Sequence, residues 1–298
     1  MPDPLSFVVL EDRGALAVAG EDRVAFLQGL VSNDVTKAGP ERALHAALLT
    51  AQGRYLHDFF IVAVGDSLIL DGEAARLDDL RRRLSIFKLR SKVTLAAAES
   101  LMVAAAFGEG AARALGLGEE AGAARVFAGG VAYVDPRLAG MGARLLLPRD
   151  GGMGALESAG FARATHADYE RMRLALGVPD GSRDLAVEKA LLIEAGFDEL
   201  NGIDWQKGCY VGQEMTARMK YRALAKKRLL PVAVEGALPP VATPVMLGGE
   251  EAGELRSGSD GQALALLRLD AVEKAKAGVA LTAAGARLTP RMPDWIKV

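Results

Sequence analysis

The sequence predicts an α+β fold that ends in a β-rich domain, and two observations support this. Up to about residue 222, short strand-like runs are separated by turn residues and interrupted by segments of helical periodicity. After Arg228, short apolar runs alternate with glycine-rich turns, which is the rhythm of a small antiparallel barrel. We therefore expect a domain boundary near residue 223, with a body over residues 1–222 and a barrel over residues 223–298.

The body is predicted to begin with strands. Leu5–Leu10 and Ala15–Ala19 are apolar runs joined by a polar turn, which indicates a hairpin. A short helix over Arg23–Leu30 is expected to end at Asn33-Asp34, whose side chains can bond to the backbone there. The next runs predict an antiparallel meander with the strands Ala43–Thr50, Tyr55–Val64 and Ser67–Leu70.

Two longer helices are predicted. Glu73–Phe87 has apolar residues at helical spacing, and its triplet Arg81-Arg82-Arg83 is interpreted as a solvated face rather than an anchor for an anionic ligand. A capping box at Thr165 and Asp168 begins the second helix, which ends at Gly177. The further predicted strands are Lys92–Ala97, Leu101–Phe107, Val126–Val134, Leu229–Val234, Pro244–Leu247, Gly253–Arg256 and Ala263–Arg268.

Composition and charge limit the partners and the compartment. The net charge is -2, so no nucleic acid or membrane partner is expected, because such partners need a basic surface. The N-terminus has no basic run before an apolar stretch, unlike a signal peptide. The single cysteine, Cys209, excludes a disulfide within the chain. These features predict a cytoplasmic protein.

The small number of cysteines and histidines also limits metal binding. A zinc site takes about four ligands, and an iron–sulfur cluster usually takes about four thiolates. One cysteine and the dispersed residues His45, His57 and His166 cannot supply either set, so no resident metal is expected.

The most unusual stretch is Asn201–Arg218, which combines turn glycines, the only cysteine, aromatic residues and several charged side chains. Lys, Gln, Glu and Arg are costly to bury unpaired, so this mixture is not typical of a core. It predicts a binding loop for a planar, polar, partly anionic molecule. Cys209 is either a small buried apolar residue or a thiol activated by Lys207.

The segment Lys207–Glu214, KGCYVGQE, followed by Ala217-Arg218, resembles the signature of the YgfZ/GcvT-like family. That family includes bacterial YgfZ and a mitochondrial cluster-assembly relative. Other blocks resemble the family in the expected order, so the resemblance covers nearly the whole chain. They are Gly20–Val35, Leu48–Asp58, Phe87–Val93, Asp135–Arg137, Gly177–Pro179, Ile193–Leu200 and Lys227-Arg228.

The resemblance implies the fold of the glycine-cleavage T-protein, with a body of two interwoven α+β subdomains and a C-terminal antiparallel β-barrel. It also implies tetrahydrofolate, or a one-carbon derivative, as ligand. Glu194 matches the T-protein glutamate that grips the pterin, and a carboxylate suits the two parallel N–H groups of an aminopyrimidine. The remaining cofactor-binding candidates are Tyr210, Gly212, Gln213, Glu214, Arg218 and Arg228.

The catalytic candidates are Cys209, Lys207 and Asp58. T-proteins carry an Asp-Asp pair where this sequence has His57-Asp58, so Asp58 keeps one carboxylate. His57 is interpreted either as a proton carrier or as a strand residue facing solvent.

The residues and the resemblance are compatible with three functions. The leading one is an accessory protein that binds tetrahydrofolate and serves the assembly or repair of iron–sulfur clusters in client enzymes. The second is an aminomethyltransferase in which Asp58 assists one-carbon transfer. The third is a binding module that acts by protein contact without folate.

Overall fold

The computed structural model describes residues 4–222 and 225–296, and the chain forms two compact units. Unit 1 comprises Met1–Leu49, Leu56–Tyr169 and Asn201–Val211. Unit 2 comprises Thr50–Tyr55, Glu170–Leu200 and Gly212–Val298. The expected boundary between a body and a barrel falls at residues 223 and 224, which lie outside the described residues, so that boundary stays a prediction.

The chain alternates strands and short helices. The strands are β1 (Ser6–Val9), β2 (Arg13–Ala19), β3 (Leu44–Leu49), β4 (Tyr55–Val64), β5 (Ser67–Glu73), β6 (Thr94–Ala97), β7 (Leu101–Phe107), β8 (Ala124–Phe127), β9 (Gly130–Val134), β10 (Ala143–Pro148), β11 (Ala162–Arg163), β12 (Lys227–Glu235), β13 (Pro244–Leu247), β14 (Glu250–Ser259), β15 (Gln262–Arg268), β16 (Leu281–Ala283) and β17 (Ala286–Pro290). The α-helices are α1 (Arg23–Gln28), α2 (Leu77–Lys88), α3 (Ala111–Ala114), α4 (Gly152–Ser158), α5 (His166–Leu176), α6 (Gly181–Asp184), α7 (Gln213–Tyr221) and α8 (Leu269–Lys276). No helix within residues 4–222 and 225–296 is long and apolar enough to cross a bilayer.

Two sheets lie in unit 1. One has the strand order β11-β1-β7-β10-β9-β8 and the other has the order β3-β4-β5-β2-β6. The predicted meander is confirmed, because β3, β4 and β5 are neighbours. The predicted hairpin of the first two strands is wrong: β1 pairs with β7 and β11, whereas β2 pairs with β5 and β6. The run of apolar residues indicates a strand but does not identify its partner.

The predicted strand Val126–Val134 is two strands, β8 and β9, paired antiparallel. Ala128 and Gly129 both have positive φ, 47° and 76°, and they turn the chain between the two strands. Such a turn matches the twist of a hairpin.

The predicted helices agree with the structure better than the predicted strand pairs do. Thr165 and Asp168 form the predicted capping box, since each backbone N–H is bonded to the other side chain.

A buried carboxylate links the two sheets of unit 1. Asp71 on β5 pairs with Arg13 on β2 at 2.8 Å and with Arg144 on β10 at 2.8 Å. The Tyr133 hydroxyl on β9 donates to the same carboxylate at 3.1 Å. Burial raises the pKa of Asp71, but the two guanidinium groups outweigh it and hold that pKa below its usual value.

Unit 2 contains a closed barrel with the strand order β12-β15-β14-β13-β16-β17. Alternate residues of its strands form an apolar core, and α8 contributes Ala271 and Val272. The predicted α+β fold with a C-terminal antiparallel β-barrel is therefore confirmed. The sequence analysis did not find β16, β17 or α8.

The arginine triplet of α2 is a charged surface, as expected. Arg81 pairs with Asp78, while Arg82 and Arg83 pair with Asp79. These are contacts between residues three or four apart on one helix, which stabilise an exposed helix modestly.

Candidate functional site

The signature segment is divided between the two units. Lys207–Val211 closes the last piece of unit 1, and Gly212 opens the last piece of unit 2. Gly212 has φ 80° and directly precedes α7, so Gln213 and Glu214 form the first turn of that helix. The site residues are therefore described separately for each unit.

In unit 1, residues 201–211 form an irregular segment, here called the Cys209 segment. It is bonded to the turn after α1: Asp204 N–H donates to the Ser32 carbonyl at 3.1 Å and Val211 N–H donates to the Gly29 carbonyl at 3.2 Å. The Ser32 hydroxyl donates back to the Gly202 carbonyl. Because it has no regular secondary structure, the segment depends on these bonds for its shape.

Lys207 makes the most specific of these contacts. Its ammonium donates to the main-chain carbonyls of Gln28, Val31 and Asn33 at 2.9, 2.5 and 2.8 Å, which uses all three of its protons. Burial lowers the pKa of Lys207 to about 8, while Asp34 and Asp204 oppose that shift. The ammonium therefore anchors the Cys209 segment, and the structure describes no hydrogen bond from it to the Cys209 thiol.

The anchored segment leaves its cysteine open to solvent. Cys209 is exposed and free. The Tyr210 ring beside it lies 5.0 Å from the Lys207 ammonium, which is the distance of a cation–π contact. Of the two interpretations of Cys209 considered from the sequence, burial as a small apolar residue does not apply.

Asp58 lies elsewhere in unit 1, on β4, and is buried. His45 on the neighbouring strand β3 places its Nε2 3.3 Å from the Asp58 carboxylate. His45 also lines a cleft of about 700 Å³, together with Asn33, Lys37, Asp204 and Trp205. The sequence analysis missed His45, and only the pairing of β3 with β4 could have identified it as the partner of Asp58.

His57 points to a different partner. It is buried, and its Nε2 lies 2.9 Å from Asp79 on α2. Burial and the nearby Arg76 lower the pKa of His57, whereas Asp79 opposes them. The interpretation of His57 as a solvent-facing strand residue is wrong.

Asn33 and Asp34 shape the turn that holds the Cys209 segment. The Asn33 amide donates to the carbonyls of His45 and Asn201. Asp34 accepts from the Thr36 N–H at the start of a short 3-10 helix. Both residues therefore have structural partners.

In unit 2, Gly53 allows the close approach of its chain segment to Gly212. A Cβ at Gly53 would lie 2.8 Å from the Gly212 carbonyl oxygen, and Gly53 has φ +74°. Only glycine fits at such a position. On α7, Glu214 and Arg218 pair with one another at 3.1 Å on the exposed face.

Glu194 in unit 2 is half-buried, and its carboxylate accepts no hydrogen bond from the described residues. Burial raises its pKa, and the charges of Lys227 and Arg54 oppose that shift. Arg228 already has partners within unit 2. Its guanidinium donates to the carbonyl of Ile193, the residue before Glu194, at 3.0 Å and pairs with Glu199 at 2.5 Å. The Arg228 Nε and the Glu199 Oε2 are nevertheless buried and have no hydrogen-bond partner among the described residues.

Comparisons with known proteins agree with this architecture. The human "Iron-sulfur cluster assembly factor IBA57, mitochondrial" is 33% identical over 306 residues, which cover 96% of this chain and 84% of the human protein. The homologue from Neurospora crassa is 31% identical over 248 residues, covering 78% of this chain and 55% of that protein. This chain belongs to the IBA57 family.

Membership of the IBA57 family confirms the resemblance to the YgfZ/GcvT-like family. Residues 226–298 match the model described as "CAF17, C-terminal beta-barrel domain". The crystal structure of glycine cleavage system aminomethyltransferase T from Bartonella henselae has the same fold, with a TM-score of 0.74 at 14% identity, covering 99% of this chain and 87% of that one. The predicted cytoplasmic location is wrong, because the IBA57 relatives are mitochondrial proteins.

Proposed function

We propose that this protein is an accessory factor for the assembly or repair of iron–sulfur clusters and that Cys209 contacts the cluster. The observation that carries this proposal is the exposed thiol on a segment fixed by Lys207 and by main-chain hydrogen bonds. A thiolate held at a rigid surface position can bind a metal ion that a second protein presents.

The cluster is cargo rather than a resident group. Among the described residues, no three His, Cys, Asp or Glu side chains are placed to hold a metal ion. A cluster usually takes about four thiolates, so Cys209 supplies at most one ligand. The other ligands must come from a client or assembly protein, or from a small thiol.

We infer further that tetrahydrofolate binds in unit 2 at Glu194. Its half-buried carboxylate has no donor among the described residues, so it is available for the two N–H groups of an aminopyrimidine. Gly212, Gln213, Glu214 and Arg218 of unit 2 remain proposed contacts at this site. Tyr210, in unit 1, remains a folate-binding candidate from its place in the signature alone.

The thiol role is tested in a deletion strain by the activity of a [4Fe–4S] enzyme that depends on this protein. Wild-type chain should restore that activity, whereas Cys209→Ser should restore little of it at equal protein level. Ser158→Ala, which changes another exposed side chain of unit 1, serves as the control. Full restoration by Cys209→Ser would rule out the thiol role.

The folate site is tested separately by calorimetric titration of tetrahydrofolate and 5-formyl-tetrahydrofolate. Micromolar binding, about -8 kcal/mol, is expected for the wild type and should be lost in Glu194→Ala. Glu235→Ala, at an exposed position on β12, should bind as the wild type does. Absence of binding to either folate would favour a module that acts through protein contact alone.

Aminomethyl transfer is the second candidate, and the fold likeness to aminomethyltransferase T favours it. The buried Asp58–His45 pair beside the cleft would then supply the acid–base group. Formation of methylene-tetrahydrofolate from an aminomethyl-lipoyl carrier, abolished in Asp58→Asn, would establish it.

A further inference from the structure

A cluster of exposed apolar residues lies at the end of α2 in unit 1. Ile86, Phe87 and Leu89 are 68%, 42% and 90% exposed, and we call residues 86–90 the Leu89 knuckle. Among the described residues no other three exposed large apolar side chains fall within so short a segment: Leu238 and Val241 form a pair, and the others, such as Val126 and Tyr221, stand apart along the chain. Scattered exposed apolar residues are ordinary, whereas a cluster of three indicates an interaction surface.

The backbone of the knuckle is strained. Leu89 ends α2 with φ 39° and ψ -110°, a conformation that a leucine rarely adopts. Such strain persists only where the surroundings fix it, and it concentrates at functional sites. The Ser91 N–H donates to the Lys88 carbonyl at 2.7 Å, and the Lys92 N–H donates to the Asp22 carboxylate at 2.7 Å. Leu89 is therefore held in its exposed position.

The knuckle also carries free positive charge. The three arginines earlier on α2 are all paired with Asp78 or Asp79. In contrast, within the described part of the chain, the Lys88 ammonium and the Arg90 guanidinium have no ion pair or hydrogen bond. An apolar centre with unpaired cations beside it has the composition of a protein-binding patch, in which apolar anchors are buried and charges form the rim.

We propose that the Leu89 knuckle docks the iron–sulfur client or assembly protein, inserting Leu89 into an apolar recess that has an acidic rim. This inference rests on the proposed function, because it supplies the contact that brings the partner to this protein. Charge complementarity favours an acidic partner, since Lys88 and Arg90 have no counter-ions within the described chain. A protein is favoured over an anionic membrane because recruitment to such a membrane takes a cluster of about four to eight Lys or Arg residues, whereas the knuckle has two unpaired cations.

The test measures binding of the purified wild-type chain and its variants to a purified apo-[4Fe–4S] enzyme whose activity falls in the deletion strain. Leu89→Gly is the decisive variant, because glycine accepts a positive φ without strain. It should raise the melting temperature or leave it unchanged, yet weaken partner binding at least about tenfold. Lost binding then cannot result from unfolding.

Further variants test the charges and the specificity of the surface. Lys88→Glu combined with Arg90→Glu should weaken binding by a similar factor and reduce its dependence on salt. Val126→Gly, at a 70% exposed position on β8, is the matched control and should bind as the wild type does.

The outcomes separate this inference from the proposed function. If the wild-type chain binds the client and Leu89→Gly binds it equally well, the docking site is overturned while the proposed function stands. If the wild-type chain neither binds nor reactivates the client, both fail. Binding of the wild type, but not of Leu89→Gly, to phosphatidylcholine–phosphatidylglycerol vesicles, with client binding unaffected by the substitution, would assign the knuckle to a membrane and overturn the proposal.

Discussion

Glu194 is a carboxylate that burial has made harder to ionise, and that property gives its proposed role a pH signature. Its pKa lies above the ordinary value of 4.5. Only the ionised form accepts two parallel N–H bonds, because a protonated carboxyl group uses one oxygen as a donor. As the pH falls through the raised pKa, folate binding must displace a proton and therefore weakens.

We predict that the affinity for 5-formyl-tetrahydrofolate falls as the pH drops through the raised pKa of Glu194, approaching tenfold per pH unit below that pKa. Calorimetric titration at several pH values measures it. Glu194→Gln cannot ionise, so its weaker affinity should lose that part of the pH dependence. If the affinities of the two proteins changed with pH in parallel, the Glu194 carboxylate would not bind the N–H groups of the ligand.

Lys207 shows how a single side chain can fix an irregular segment. Replacement by methionine removes the donor from three carbonyl groups, and an unsatisfied buried carbonyl costs about 1–3 kcal/mol. We predict that Lys207→Met raises hydrogen exchange across residues 201–211 by roughly tenfold or more. Lys207→Arg should not rescue it, because a planar guanidinium cannot reproduce the contacts of an ammonium with three converging carbonyls.

Mass-spectrometric hydrogen exchange and the alkylation rate of Cys209 are the measurements for this prediction. Lys220→Met, which removes an ammonium paired with Asp198 in unit 2, is the control and should leave both unchanged. Exchange at wild-type rates in Lys207→Met would mean that the main-chain bonds of Asp204 and Val211 suffice to hold the segment.

At the scale of elements, Asp71 links the two sheets of unit 1 through Arg13 and Arg144. Asp71→Asn leaves two buried guanidinium groups without their counter-charge, and breaking such a pair costs about 3–5 kcal/mol. We therefore predict that Asp71→Asn lowers the free energy of unfolding by this amount, as measured by denaturant titration near neutral pH. Asp66→Asn, in the exposed turn before β5, should change it by less than about 0.5 kcal/mol.

The ion pairs of Asp71 also predict how the stability of the protein depends on acidic pH. The folded pKa of Asp71 lies below the ordinary value of 3.8, so its stabilising contribution is complete above that value and is lost as the pH falls through the folded pKa. The stability difference between wild type and Asp71→Asn should therefore shrink only below about pH 4. A difference that is already lost near neutral pH would contradict the buried ion pair.

At the scale of the whole molecule, the sequence predicted element types better than their partners. Period and turn residues identified β2, β4, α2 and the barrel, because those signals are local. They did not show that β1 and β2 belong to different sheets, since strand pairing depends on segments far apart in the chain. The family signature located the Cys209 segment and Glu194. It gave no indication of the carbonyl contacts of Lys207 or of the ion pair between Arg228 and Glu199, which exist only after folding.

Unit 2 depends on a buried network that ties its helices to the barrel. Arg173 on α5 is fully buried and pairs with Glu170 at 2.9 Å and with Asp184 at 2.8 Å. Its guanidinium also donates to the Ser257 hydroxyl on β14, and Asp184 accepts from the same hydroxyl. Leu174, one residue along α5, packs with Leu229 and Leu264 of the barrel. Residues 170–200, which carry Glu194, are thus held by contacts with the barrel.

We predict that Arg173→Met lowers the free energy of unfolding by about 3–5 kcal/mol, because the buried Asp184 carboxylate loses its counter-charge and Glu170 keeps only its pair with Arg183. Residues 170–200 should exchange hydrogen faster, and folate affinity should fall although no proposed folate contact has changed. Arg171→Met is the matched control: Arg171 lies two residues away on α5, and its ion pair with Asp260 is about half exposed on both sides, so its loss should cost less than about 0.5 kcal/mol. If Arg173→Met bound folate as tightly as Arg171→Met did, the Glu194 site would not depend on the barrel. The buried network would then serve stability alone.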